Sequence, residues 1–266
     1  MTETFDPDWL QLREPADHAA RPEALATALR EALAGAGSAV IRVTDLGSGT
    51  GSNLRYLAPR LPRPQHWRLV DHDAGLLAQA LAPCAGVEIE RQRCDLASDP
   101  AVALAGDEAL VTGSALLDLV SREWLQRLLA ACSGQGAAVL FALSYDGRMR
   151  WSRPHPLDAD VEAWVNRHQR SDKGFGPALG PAAAATCAEQ LEALGYRVQV
   201  AASDWRIGVE QAALGAALIE GWVGAAAAIR PERAGDLQAW GDARAQALAA
   251  GTVELTVGHQ DVLGWR

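Results

Sequence analysis

The sequence predicts an α/β fold: a seven-stranded, mostly parallel sheet with helices on both faces, extended by helical cap insertions. Three observations predict it. Between residues 38 and 145, short apolar runs alternate five times with helical segments, the pattern of a parallel sheet covered on both sides. The second and third runs each end on an aspartate, Asp71 and Asp95, and the first runs into a glycine-rich loop. The 266 residues are 49% hydrophobic and 21% charged, enough apolar material for one large core. No repeat or flexible linker divides the chain. One domain is expected over 1–266, with a helical segment at 1–37, the alternating half at 38–145, and cap insertions at 146–180 and 205–250.

In chain order, residues 5–35 read as helical, with Leu25, Leu29 and Leu33 on one face and Gly35 and Gly37 as a stop. The first strand, Ala39 to Thr44, leads into D-L-G-S-G-T-G-S-N (Asp45 to Asn53). Ser52 or Asn53 can cap the helix that follows. That helix runs to about Leu61, where Pro59, Pro62 and Pro64 end it. Strand two, His66 to Val70, ends at Asp71, and Leu76, Leu77 and Leu81 mark a short helix. Strand three is Val87 to Cys94, strand four Ala109 to Val111 and strand five Ala137 to Leu143, with a helix through Trp124, Leu125, Leu128 and Leu129 before the fifth. A long connection occupies 144–180. A helix from Pro181 to Leu194 closes on Gly195. Tyr196 to Ala202 is strand six, 208–250 is helical, and Thr252 to Val257 is the last strand.

The formal net charge of −9 lacks the broad positive field that drives binding to a phosphate backbone, which argues against a nucleic-acid partner. The four cysteines share no CxxC spacing, and no His/Cys cluster has zinc-site spacing, so no metal and a reduced, cytoplasmic protein are expected. Met1 to Leu10 holds no apolar signal core. No apolar run is expected to reach the roughly 18 residues that a membrane span needs.

The glycine loop is the first site of interest. A P-loop needs a lysine after the last glycine, and none is present. The dinucleotide pattern G-x-G-x-x-G/A meets Ser52 at its third small position, so the loop alone leaves dinucleotide and S-adenosylmethionine (SAM) open. Asp45, two residues before Gly47, favours a cationic ligand bearing an amino group over a pyrophosphate. Asp71 stands where a carboxylate accepts from ribose hydroxyls, a feature shared with NAD proteins. Asp95 stands at the same sheet edge, within reach of an adenine amine.

Four stretches together resemble the class I SAM-dependent methyltransferases: Val43 to Gly51, Leu69 to Asp73, Arg93 to Leu96 and Leu110 to Val120. The resemblance covers residues 38–145 and extends to the last two strands. It implies SAM as cofactor and S-adenosylhomocysteine as product. Gly47, Ser48, Gly49, Gly51 and Asn53 would hold the methionine part, with Asp45 orienting its amino group. Asp71 and His72 would hold the ribose, Asp95 and Leu96 the adenine, and Thr112 and Ser114 would line the methyl side. Asp73 caps the next helix in the alternative reading.

Methyl transfer asks mainly for positioning and exclusion of water, so no single catalytic residue is compulsory. T-G-S-A at 112–115 lacks the N/D-P-P-Y/F pattern that grips planar amines in DNA and glutamine-amide methyltransferases. Cys132 reads as core. His168, Tyr145, Asp118 and then His155 are the candidate general bases. Arg167, Arg170 and Lys173, with Phe175 and with Arg13 from the N-terminal segment, are expected to bind a small anionic acceptor for O- or N-methylation. The competing readings are an RNA or protein methyltransferase, an NAD(P)-dependent oxidoreductase and a non-catalytic SAM-binding protein.

Overall fold

The computed structural model describes residues 6–35, 39–97 and 99–266. Gly37 and the first five residues of the expected N-terminal segment lie outside them. One eight-stranded sheet runs through the molecule in the order β3-β2-β1-β4-β5-β8-β6, with β7 paired to β8. The strands are β1 (Ile41–Leu46), β2 (Gln65–Asp71), β3 (Val87–Arg93), β4 (Leu110–Ser114), β5 (Ala138–Trp151), β6 (Arg197–Ala202), β7 (Trp205–Ile207) and β8 (Leu255–Trp265). The first five pair in parallel, and β8 runs antiparallel to β5, β6 and β7. The chain order turns back at β1, and the carboxyl ends of β1 and β4 meet there. In open α/β sheets that reversal opens the ligand crevice.

The helices are α1 (Pro7–Ala20), α2 (Glu23–Gly35), α3 (Ser52–Leu57), α4 (Ala74–Gln79), α5 (Arg122–Gln135), α6 (Asp158–Gln169), α7 (Ala183–Ala193), α8 (Ala212–Ile229) and α9 (Ala234–Ala249). Local chemistry sets their ends. Asp73 caps α4 by accepting from the Gly75 and Leu76 amides. Ser121 caps α5 at the Trp124 amide, and Gly136 in the left-handed region ends it.

Three apolar cores result. One packs α5 and α7 on Val111, Val139 and Phe141. The second packs α2 and α3 on Val43, Trp67, Leu69 and Leu140 across the sheet. The third joins the far half of β5 and β8 to α6, α8 and α9 beyond the carboxyl edge.

Four expectations need correction. β5 continues to Trp151, and α6 fills much of the remaining expected connection. The segment 144–151 is too polar to read as a core strand, but β8 pairs with it at 144–145 and again at 149–151. The last strand is Leu255–Trp265 and lies later than expected. An eighth strand, β7, precedes the helical insertion. Finally, the helical stretch 209–229 is long and apolar enough, by length and composition alone, to cross a membrane. Its alanines and glycines sustain hydropathy across two glutamates. In the fold this stretch packs between α6 and α9.

Small residues set how closely α8 and α9 approach. A Cβ at Gly215 would come within 2.0 Å of Leu248 Cδ2, and Leu248 is itself fully buried. Gly215→Val should therefore cost about 1–3 kcal/mol of stability through overpacking. Urea denaturation checks this, and an unchanged midpoint would contradict the packing.

Candidate functional site

The glycine loop leaves β1 through three left-handed residues, Gly47 (φ 64°), Gly49 (φ 51°) and Gly51 (φ 82°). A Cβ at Gly49 would come within 3.3 Å of Leu10 on α1, so the backbone there is approached closely from above. Helix α1 is fastened over the loop. Glu14 pairs with Arg55 of α3, and His18 Nε2 lies 3.1 Å from the Ser52 carbonyl oxygen.

Under α1 lies a cavity of about 120 Å³ bordered by Gly47, Gly49, Asp71, His72, Asp95, Leu96 and Ser114. A recess of about 60 Å³ extends it along the loop past Ser48 and Asn53. Asp71 binds the loop directly. Its Oδ2 accepts from the Gly49 amide at 2.8 Å and its Oδ1 from the Asp73 amide at 3.0 Å. Each carboxylate oxygen retains lone-pair capacity toward the cavity. Asp95 is exposed at the cavity edge, its Oδ1 accepting from the Ala97 amide.

A buried polar network supports this floor. Arg21 Nε donates to Asp261 at 2.7 Å, and its Nη1 donates to Asn53 Oδ1 at 3.1 Å. Asn53 Nδ2 donates to Asp45 Oδ1 at 2.9 Å and to Thr112 Oγ1 at 3.1 Å. Thr112 passes its own proton to the Leu140 carbonyl. Thr112 thus belongs to the support and not to the cavity wall where the sequence places it. Asp45 also lies beneath the loop, fully buried, with Oδ2 unpartnered. Burial pushes its carboxyl up to about 7, against the pull of Asn53 and Arg21.

A second cavity, of about 390 Å³, opens beyond the first. The two share Arg13, Ala115, Leu119 and Lys173. Ala115 is held in the left-handed region at φ 51°, its amide bonded to the Ala142 carbonyl, at the seam between the chambers. β-Bulges interrupt the β5–β8 pairing on both sides of Tyr145, which sits directly across from His259. Trp9, Trp205 and Trp222 complete an aromatic wall, and Ala217, Leu218, Gly221 and Ala225 expose one face of α8 to the space.

All three leading candidate bases, Asp118, Tyr145 and His168, line this cavity. Burial pushes Asp118 up to about 6, while the charges of Arg13 and Lys173 hold it down. Burial also raises the Tyr145 phenol. Arg13 and Lys173 border both cavities, whereas Phe175 borders the first and stands edge-on to Trp124. Arg167 and Arg170 border neither. Both are exposed, because Val161, Val165 and His168, at i, i+4 and i+7, form the inward face of α6. His155 is likewise absent from the wall, and its Nδ1 accepts from the Leu157 amide.

Sequence reasoning missed His259, Trp205 and Trp222. The expected last strand stopped at Val257. Beyond it, His259, Gln260 and Asp261 break the apolar alternation, so no local signal extends the strand.

No protein-family model and no curated protein sequence matches the chain. Solved structures do. The cyclopropane synthase MmaA2 from Mycobacterium tuberculosis aligns at a TM-score of 0.51 and 12% identity, covering 98% of this chain and 94% of that one. A SAM-dependent methyltransferase from Geobacter sulfurreducens, in complex with S-adenosyl-L-homocysteine, aligns at 0.47 and 17%, covering 100% of each chain. Geranyl diphosphate C-methyltransferase from Streptomyces coelicolor A3(2) aligns at 0.46 and 13%, covering 92% of this chain and 80% of that one. At such identities the likeness is one of fold. The fold is that of the class I SAM-dependent methyltransferases.

The raised carboxyl of Asp45 fixes a sign. The folded chain holds this proton more tightly than the unfolded chain, so the associated stability is present below about pH 4 and is lost as pH rises toward about 7. Relative to Asp45→Asn, the unliganded wild type should lose stability across that window, by an amount on the order of a few kcal/mol. Thermal melting of both proteins from pH 4 to 8 checks it. Parallel curves would show that Asp45 does not titrate there.

Proposed function

We propose that the chain is a SAM-dependent methyltransferase acting on a small molecule held in the larger cavity, with O- or N-methylation as the reaction. The observation that carries this reading is the pairing of two cavities across the Ala115–Leu119 seam, one lined by the glycine loop and Asp71, the other by aromatic rings. The residues fit the cofactor. Gly47 and Gly49 would give a backbone surface, Asp71 would accept from ribose hydroxyls, and Leu96 and Phe175 would pack on the adenine. The orphaned Oδ2 of Asp45 would serve the ammonium group through water, since Asp45 itself does not border the cavity.

Bound SAM supplies a methyl carbon on a sulfonium, whose transfer to an acceptor oxygen or nitrogen leaves the bonding pair on sulfur as a neutral thioether. The chain's own residues orient the acceptor and exclude water: α1 covers both chambers, and the tryptophans present flat apolar faces. Asp118, poised near neutrality by burial, takes the proton that the acceptor releases.

Of the four cations expected to bind an anionic acceptor, Arg13 and Lys173 remain on the second cavity's wall, where Arg13 is paired with Asp17 and Lys173 shares the wall with Asp118. The shape of the cavity and the acidic surface support a small molecule over RNA or protein.

Calorimetry tests the donor site. SAM should bind and NAD should not, and Asp71→Ala should weaken SAM by about 1–3 kcal/mol through lost charge-assisted bonds. NAD binding without SAM binding would replace this reading with an oxidoreductase. Arg170→Ala, altering an exposed side chain, should leave acceptor turnover within about twofold.

A further inference from the structure

Three polar groups stand on the wall of the larger cavity with bonding capacity left over. Asp118, Tyr145 and His259 are 9%, 8% and 6% exposed. Asp118 Oδ1 and the Tyr145 hydroxyl have no hydrogen-bond partner among the described residues. His259 Nδ1 lies 3.1 Å from the Val257 carbonyl, which can only accept, so Nδ1 carries the proton of the neutral ring. Nε2 is then the lone-pair nitrogen. Burial, with the Arg13 charge adding to it, pushes the imidazole down to about 3, so it stays neutral. The ring is held by Trp205 at 4.7 Å and stands across from Tyr145 at 6.1 Å.

Leaving buried polar atoms unpaired costs free energy, and a cluster of them on one cavity wall marks where a ligand supplies the partners. Their chemistry defines what it must present. Asp118 and His259 Nε2 accept hydrogen bonds, and the Tyr145 hydroxyl donates one. The surrounding rings require an apolar, flat body. Arg13 and Lys173 do not make the site anion-selective, because Arg13 is paired with Asp17 at 2.9 Å and the Asp118 carboxylate lies close enough for the lysine charge to act on it.

Building on the methyltransferase reading, we infer that the acceptor is an uncharged aromatic or similarly flat molecule whose hydroxyl shares its one proton between the Asp118 carboxylate and His259 Nε2 and accepts from Tyr145. His259 is thereby assigned as a specificity-determining residue of the acceptor site. The proton that leaves when the oxygen gains its methyl group passes to Asp118, while His259 stays neutral and holds the hydroxyl in place.

The test uses three naphthalenes of matched shape: 2-naphthol, 2-methoxynaphthalene and 2-naphthoate. Each is titrated by calorimetry into the full chain, with and without saturating S-adenosylhomocysteine. The naphthol should bind about tenfold tighter than the other two, the worth of one to two well-made hydrogen bonds. His259→Leu and Asp118→Leu should reduce that preference below about threefold, while His259→Gln, which keeps an acceptor, should retain most of it. S-adenosylhomocysteine affinity should be the same in all three variants, which shows that they are folded.

Tighter binding of the naphthoate would overturn the inference. So would equal binding of the three probes, no binding by any, or a preference that survives both leucine variants. The wild-type ranking decides the matter even if a variant fails to fold. Failure of S-adenosylhomocysteine to bind would sink the donor-site reading separately, because the ranking without it still reports on the acceptor wall.

Discussion

The architecture of both chambers depends on one buried ion pair, Arg21 with Asp261. Arg21 stands where α1 hands over to α2, and its guanidinium lies 4.6 Å from the centre of the Tyr56 ring. Its partner Asp261 also accepts from the amide of Leu143, a residue at φ 54° beside the first bulge of β5. Through Asn53 the same guanidinium connects to Asp45 and Thr112 under the glycine loop. The N-terminal helices, the donor floor and the bend that aims Tyr145 are therefore registered against one another by a single side chain. Such a pair costs much of its Coulombic gain in desolvation, so its contribution is better measured in positioning than in net stability. Removing either partner would leave a charge buried without compensation.

The parallel half of the fold was legible in the sequence because its signals are local. Strands β1, β2 and β4 are short apolar runs, and β3 alternates apolar with polar residues. The glycine loop follows β1, Asp71 ends β2 and Asp95 lies just past β3, and Asp73 and Gly136 cap their neighbours as their types require. The antiparallel half was harder. The extension of β5 through Ser144 to Trp151 is stabilised by pairing with a strand about a hundred residues later. No window of the chain contains both partners. The bulges that bend β5 likewise leave no local mark.

The site divides along the same line. Gly47, Gly49, Asp71, His72, Leu96 and Ser114 border the donor cavity as their strand-end positions imply. Thr112 did not follow, because its hydroxyl is consumed by Asn53 and Leu140. In the larger cavity, Asp118, Tyr145 and His168 converge from the loop after β4, β5 and α6. Arg167 and Arg170 looked like a charge cluster only because they are near in sequence. On a helix whose inward face is set by Val161 and Val165, they turn to solvent. His259 and Trp205 became neighbours through β8, a relation no spacing rule carries.

Helix α1 places Leu10 above Gly49, Arg13 between the chambers and Trp9 on the acceptor wall. Two rooms thus share one roof. Because a helix is a stiff rod, a displacement of α1 at one chamber would be felt at the other. The fastenings to Arg55 and Ser52 therefore hold the cover of both cavities at once.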